Sequence, residues 1–209
     1  MRFTESLEEV KLTGTFNELK RINLSGSGIK NLELSAETYP GLTSLDLRNT
    51  KSLEEVKLAG TFNALENIDL SGSGIKTINI SATCPNLKLD LSYTKYLELV
   101  TLSASLNALE EISLFESEIK TIEISGDVCP NLKKLNLGYT HNLESLTLYG
   151  SFNALESIDF SRSGIKKLVL DKNSFPKLKT NSPRIKLVDK KRKRDEDDNF
   201  EAEIGKENK

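Results

Sequence analysis

The chain has no tryptophan, one histidine, one methionine and two cysteines in 209 residues. The lone histidine, His141, has no recurring nucleophile or carboxylate beside it, so the sequence offers no triad, no acid–base pair and no four-ligand zinc set. No apolar run approaches the ~20 residues that span a bilayer. The start Met1-Arg2-Phe3-Thr4-Glu5-Ser6 also lacks the apolar core of a secretory leader. Acids and bases nearly cancel to a formal net charge of −2, which gives the body of the chain no bulk attraction for nucleic acid. Cys84 and Cys129 fall at equivalent places two repeats apart; at ~4.8 Å per strand that is roughly 10 Å, beyond disulfide reach. We therefore expect no enzyme, no metal, no cofactor, no membrane span and no specific nucleic-acid binding, in a reducing nuclear or cytoplasmic setting.

What the chain does have is a period. Leu24, Leu47, Leu70, Leu91, Leu114, Leu137 and Phe160 each close a short apolar alternation, and the step is 23 residues everywhere except 21 between Leu70 and Leu91. The alternation, as in Leu19-x-x-Ile22-x-Leu24 and Leu65-x-x-Ile68-x-Leu70, has the two-residue repeat of a strand buried on one side. A second set lies between, from Leu7-x-x-Val10-x-Leu12 to Ile165-x-x-Leu168-x-Leu170, so each coil turn carries two strands. A fixed period in this range marks a solenoid, whose units bury their apolar rows only by stacking on one another. Above it runs a 46-residue rhythm: Leu53 to Leu58 copies Leu7 to Leu12, and Ser71-Gly72-Ser73-Gly74 copies Ser25-Gly26-Ser27-Gly28.

These repeats resemble the leucine-rich-repeat family, whose pattern is matched by Leu19 to Ile29 and Leu65 to Ile75. The resemblance implies a β-rich solenoid over residues 1–188, a right-handed coil with parallel strands on both concave and convex sides and few or no helices. Where that family carries Asn, this chain carries Ser27, Thr50, Ser73, Thr94, Ser117, Thr140 and Ser163; a hydroxyl can still bond the bend backbone. Two kinds of connection alternate. One carries Phe16-Asn17, Phe62-Asn63, Leu106-Asn107 and Phe152-Asn153, the apolar residue plugging the interior and the Asn bonding the bend. The other carries Tyr39-Pro40, Cys84-Pro85, Cys129-Pro130 and Phe175-Pro176, where proline keeps its residue out of the ladder.

Subtracting the core leaves the outward residues of the first strand set as the candidate binding face. Its central column stacks Asn23, Asp46, Asp69, Asp90, Ser113, Asn136 and Asp159. Three successive aspartates ~4.8 Å apart repel one another, a cost that a basic partner segment would relieve. Asp46, Arg48, Asp69, Asp90, Tyr93, Phe115, Tyr139, Asp159 and Arg162 are thus the candidate partner-binding residues, the aromatic and arginine side chains serving as anchors. The Ser-Gly-Ser-Gly stretches read as tight bends rather than phosphate cradles, because a strand follows them and no Gly-Lys-Ser does.

After Pro183, Ile185 to Val188 reads as a last edge strand and residues 189–209 as a disordered charged tail. Its run Lys190, Lys191, Arg192, Lys193 and Arg194 resembles a nuclear signal read by an import receptor, with Asp195 to Asp198 following. At the other end, Leu7 to Leu12 matches the second strand of a coil turn, so the solenoid is expected to expose apolar groups there unless Met1 to Ser6 or another chain covers them. The expected function is a non-catalytic interaction module that holds a protein partner on the concave sheet. A secreted adhesin or effector, or a structural segment of a larger repeat protein, remains the alternative.

Overall fold

A computed structural model of the chain describes residues 8–36, 39–103, 106–180 and 182–189. The short strands Arg21–Asn23 (β2), Ser44–Asp46 (β4), Asn67–Asp69 (β6), Lys88–Asp90 (β8), Glu111–Ser113 (β10), Lys134–Asn136 (β12) and Ser157–Asp159 (β14) form one parallel sheet of seven. Between them run Glu9–Thr13 (β1), Asn31–Ala36 (β3), Glu55–Gly60 (β5), Thr77–Ile80 (β7), Leu99–Leu102 (β9), Thr121–Ser125 (β11), Ser145–Tyr149 (β13) and Leu168–Asp171 (β15). A short 3-10 turn over Lys172–Ser174 and the strand Ile185–Val188 (β16) follow, β16 pairing with β15 in parallel. The chain is a parallel-strand β-solenoid, and no α-helix occurs among the described residues.

Both strand sets lie where the two-residue alternation puts them. Ile22, Leu45 and Ile68 share one register column, and Arg21, Ser44 and Asn67 share the next. The inward rows, among them Leu45, Leu47, Ile68, Leu70, Ile112 and Leu135, are essentially inaccessible to solvent. Between the sheets runs a third column from the connections: Phe16 stacks on Tyr39 at 5.6 Å, Tyr39 on Phe62 at 4.6 Å and Phe152 on Phe175 at 5.2 Å. Cys84, Leu106 and Cys129, all buried, fill the equivalent places in the middle. Burial pushes both free thiols up to about 12. The buried Tyr39 hydroxyl donates to the Leu12 carbonyl at 2.9 Å, which satisfies its one polar atom.

The hydroxyl column closes the bends as its chemistry suggests, in two ways. Thr50, Thr94 and Thr140 donate to the carbonyls of Leu47, Leu91 and Leu137 at 2.6, 2.7 and 2.7 Å. Ser73 and Ser163 instead accept from the amides of Ile75 and Ile165, while the buried hydroxyls of Ser27 and Ser117 have no partner among the described residues. In the connections it is Asn86 and Asn131 whose side-chain amides bond the bend, donating to the carbonyls of Asn63 and Asn107; the latter two contribute backbone rather than side chain. The last bend is closed by Arg184, whose Nη1 lies 3.3 to 3.4 Å from the carbonyls of Phe160, Ser163 and Ile165.

Strand pairing thins near the middle of the coil on both sides. In the seven-stranded sheet β10 meets β8 over two residue pairs only, where the neighbouring steps pair over three. A groove of about 710 Å³, lined by Asn67, Asn86, Lys88, Glu110 and Glu111, opens at that seam. On the other side β1-β3-β5-β7-β9, β11-β13 and β15-β16 form separate sheets, so the ladder stops between β13 and β15 and also between β9 and β11. A second groove of about 480 Å³ lies there, lined by Lys95, Tyr96, Glu98, Glu118 and Lys120.

Candidate functional site

The central column of the seven-stranded sheet has a local task. The side-chain oxygens of Asn23, Asp46, Asp69, Asp90, Asn136 and Asp159 accept the backbone N–H two residues on, at 2.8 to 3.2 Å. These are Asx turns, and they bend the chain out of each short strand. Ser113, the one member without an amide or carboxylate, shares a hydrogen bond with the hydroxyl of Ser92 at 2.7 Å. Aspartate is therefore at home here for a reason that lies in the backbone.

The charge of the column is partly met from within. Arg48 places Nε and Nη2 on Asp46 at 2.9 and 2.8 Å and reaches Asp69 at 3.6 Å. Its hydrogen bonds to Asp46 hold that carboxyl below the usual carboxylate range. Arg48, selected from the sequence as a partner contact, thus bridges two of the aspartates that a partner was expected to neutralise. Asp90 and Asp159 lie beyond its reach.

Three residues after each central residue the backbone enters the left-handed region, at Gly26, Asn49, Gly72, Tyr93, Glu116, Tyr139 and Arg162, with φ from 55° to 66°. The first six are locked there by an amide bond to the next coil turn: Tyr93 to the Phe115 carbonyl at 2.8 Å, for example, and Tyr139 to that of Ser161 at 2.7 Å. Glycine and asparagine tolerate this conformation; other L-residues pay about 1 to 2 kcal/mol for it. The first three turns use the tolerant residues and the last four do not.

Two of those costly positions, Tyr93 and Tyr139, belong to a ring cluster at the surface. Tyr93 meets Phe115 edge-on, centroids 5.6 Å apart, and Phe115 meets Tyr139 at 5.2 Å. Tyr139 in turn contacts His141 at 6.1 Å and carries the Arg162 guanidinium 5.1 Å above its ring. Tyr96, with Lys95 at 5.5 Å from its ring, extends the edge. Tyr93 and Tyr96 are each 54% exposed. In the first three turns the same columns carry Ser25, Gly26, Arg48, Asn49, Ser71 and Gly72, with no aromatic ring.

Of the residues picked out by the sequence, Tyr93, Phe115, Tyr139 and Arg162 are brought together in one contact chain, whereas Asp46, Asp69, Asp90 and Asp159 line the neighbouring column. His141, Tyr96, Glu116 and Gly138 were not singled out; the signal that would have found them is their place in the columns next to Tyr93 and Tyr139. The five basic residues Lys190 to Arg194 lie outside the described residues. Among the described residues no three His, Cys, Asp or Glu side chains are placed to hold a metal ion, and no helix is long and apolar enough to cross a membrane. No family model, curated protein or solved structure matches this chain.

Proposed function

We propose that this solenoid is of the leucine-rich-repeat kind and acts as a non-catalytic interaction module, holding a protein partner on its seven-stranded, concave sheet. The carrying observation is the aromatic edge of Tyr93, Phe115, Tyr139 and Arg162, present in the later turns and missing from the same columns of the earlier ones. Strained backbone persists where function maintains it, and tyrosine and arginine are the side chains that most often anchor interfaces. Rings already packed on one another lose little freedom when a partner covers them, which favours tight contact. The run Lys190 to Arg194 serves in this reading as an address for an import receptor, so the module works in nucleus and cytoplasm.

Affinity capture from cell lysate tests the edge. The native chain is compared with a variant carrying Tyr93→Asn, Phe115→Ser and Tyr139→Asn, in which Asn keeps the left-handed positions comfortable. Partners held by the native chain and lost by the variant support the module; identical recovery removes the edge from function. For the address, residues 189–209 fused to a fluorescent reporter should concentrate it in nuclei, and a diffuse reporter would discard that role.

A further inference from the structure

The repeat itself shows what is missing at Tyr93. Two turns later the equivalent residue, Tyr139, carries a guanidinium on its ring, supplied by Arg162 from the same column of the following turn. At Tyr93 the residue in that position is Glu116, fixed in the same left-handed conformation. The Lys95 ammonium lies 5.5 Å from the ring of Tyr96. Tyr93 is left more than half exposed, with no cation on its ring among the described residues and an exposed carboxylate one turn on. Phe115 meets the ring at 73° and holds it upright. Glu116 forms no salt bridge among the described residues.

We propose that Tyr93 and Glu116 are a receptor for one arginine side chain of the partner, its guanidinium laid on the Tyr93 ring and paired with the Glu116 carboxylate. The inference rests on the interaction-module reading and gives the chemistry of its partner. Arginine fits better than lysine because a planar guanidinium can stack on a ring and still offer N–H groups in its plane to a carboxylate. Asp90, whose side chain closes the turn leading into Tyr93, adds favourable potential on the same side. The partner's arginine completes in the fourth and fifth turns the arrangement that Arg162 completes internally in the sixth and seventh.

Titration of the full chain with a hexa-arginine peptide, and with the neutral isostere hexa-citrulline, tests this by NMR of ring-labelled tyrosine. Hexa-arginine should shift the Tyr93 resonances saturably and hexa-citrulline should not. Tyr93→Asn, which leaves net charge unchanged, should weaken binding about three- to fivefold, and Glu116→Gln about twofold. Tyr93→Phe keeps the ring and should bind as the native chain does. Equal affinity for the Tyr93→Asn variant would overturn the site, and so would a loss confined to Asp69→Asn or Asp90→Asn, which would move arginine to the aspartate column. If partner capture depends on the aromatic edge while hexa-arginine leaves Tyr93 unmoved, the arginine receptor falls alone; if neither responds, the module reading falls with it.

Discussion

The ring of Phe115 lies over Gly138, one coil turn on: a Cβ at position 138 would stand 3.2 Å from the Phe115 Cδ2. It would also meet the Asn136 Oδ1 and Ser161 Oγ at 3.2 Å, so all three side chains would have to give way by a few tenths of an ångström. Phe115 can join Tyr93 to Tyr139 because its neighbour has no side chain.

Gly138→Ala should therefore push Phe115 out of line and break its contact with Tyr139. We expect a stability loss of about 1 to 2 kcal/mol from overpacking, read by urea unfolding, together with altered ring-current shifts at Tyr139. Unchanged shifts would show that the ring does not need the gap.

The left-handed column makes opposite predictions at its two ends. Gly72, at φ +66° and with the Asn49 Oδ1 2.8 Å from an added Cβ, should lose about 1 to 2 kcal/mol on replacement by valine. Glu116→Gly removes the same strain and should cost nothing or gain up to about 1 kcal/mol. A clear loss in Glu116→Gly, measured by thermal unfolding, would mean that the carboxylate has a partner in the fold.

The hydroxyl column separates a bonded from an unbonded member. Thr140→Val keeps shape but leaves the buried Leu137 carbonyl without its 2.7 Å donor, at a cost of about 1 kcal/mol. Ser117→Ala removes a buried hydroxyl that bonds nothing among the described residues and should be neutral or slightly stabilising. Equal losses in the two variants would contradict this division.

Cys84 and Cys129 should withstand thiol reagents in the native state, since their folded pKa values near 12 leave almost no thiolate at neutral pH. The sign of the linkage follows. Each thiol ionises near the ordinary 9.0 when unfolded and near 12 when folded, so the neutral form stabilises the fold fully below pH 9. That stability drains away as pH rises from about 9 to about 12. A Cys84→Ala, Cys129→Ala double variant should show a flatter decline in melting temperature over this window.

At the seam between β9 and β11, no backbone bond from the amides of Lys120 and Thr121 to the preceding turn occurs among the described residues. Those of Glu144 and Ser145 reach the Lys120 carbonyl at 2.9 and 3.1 Å. Hydrogen exchange should therefore be faster at Lys120 and Thr121 than at Glu144 and Ser145. Equal protection would close the seam.

Most of the scaffold was legible in the residues because stacking makes every column of a solenoid repeat its own constraint. The alternation around Ile22, Leu45 and Ile68 placed both strand sets, and even Ile185 to Val188 was found as the last strand. The site was legible only in part. Tyr93, Phe115, Tyr139 and Arg162 stood out as large groups at strand ends, but their contact chain depends on Gly138 and on a left-handed backbone that no side-chain pattern announces. The aspartates drew attention as a charged column, yet their first partner is the amide two residues on, a bond made within one turn. Arg48 looked like a contact for others because its reach back onto Asp46 and across to Asp69 requires the folded register. The breaks between β9 and β11 and between β13 and β15 had no counterpart in the sequence reading.

The left-handed corner also separates shape from message. At its first six positions the backbone is pinned by amide bonds that involve no side chain, so glycine, asparagine, tyrosine and glutamate all occupy it without altering the coil. Such a corner works like a row of sockets on a fixed rail. Placing Tyr at position 26, where an added Cβ meets nothing within 4 Å, would start a new recognition surface on the early turns at the tariff a left-handed L-residue carries.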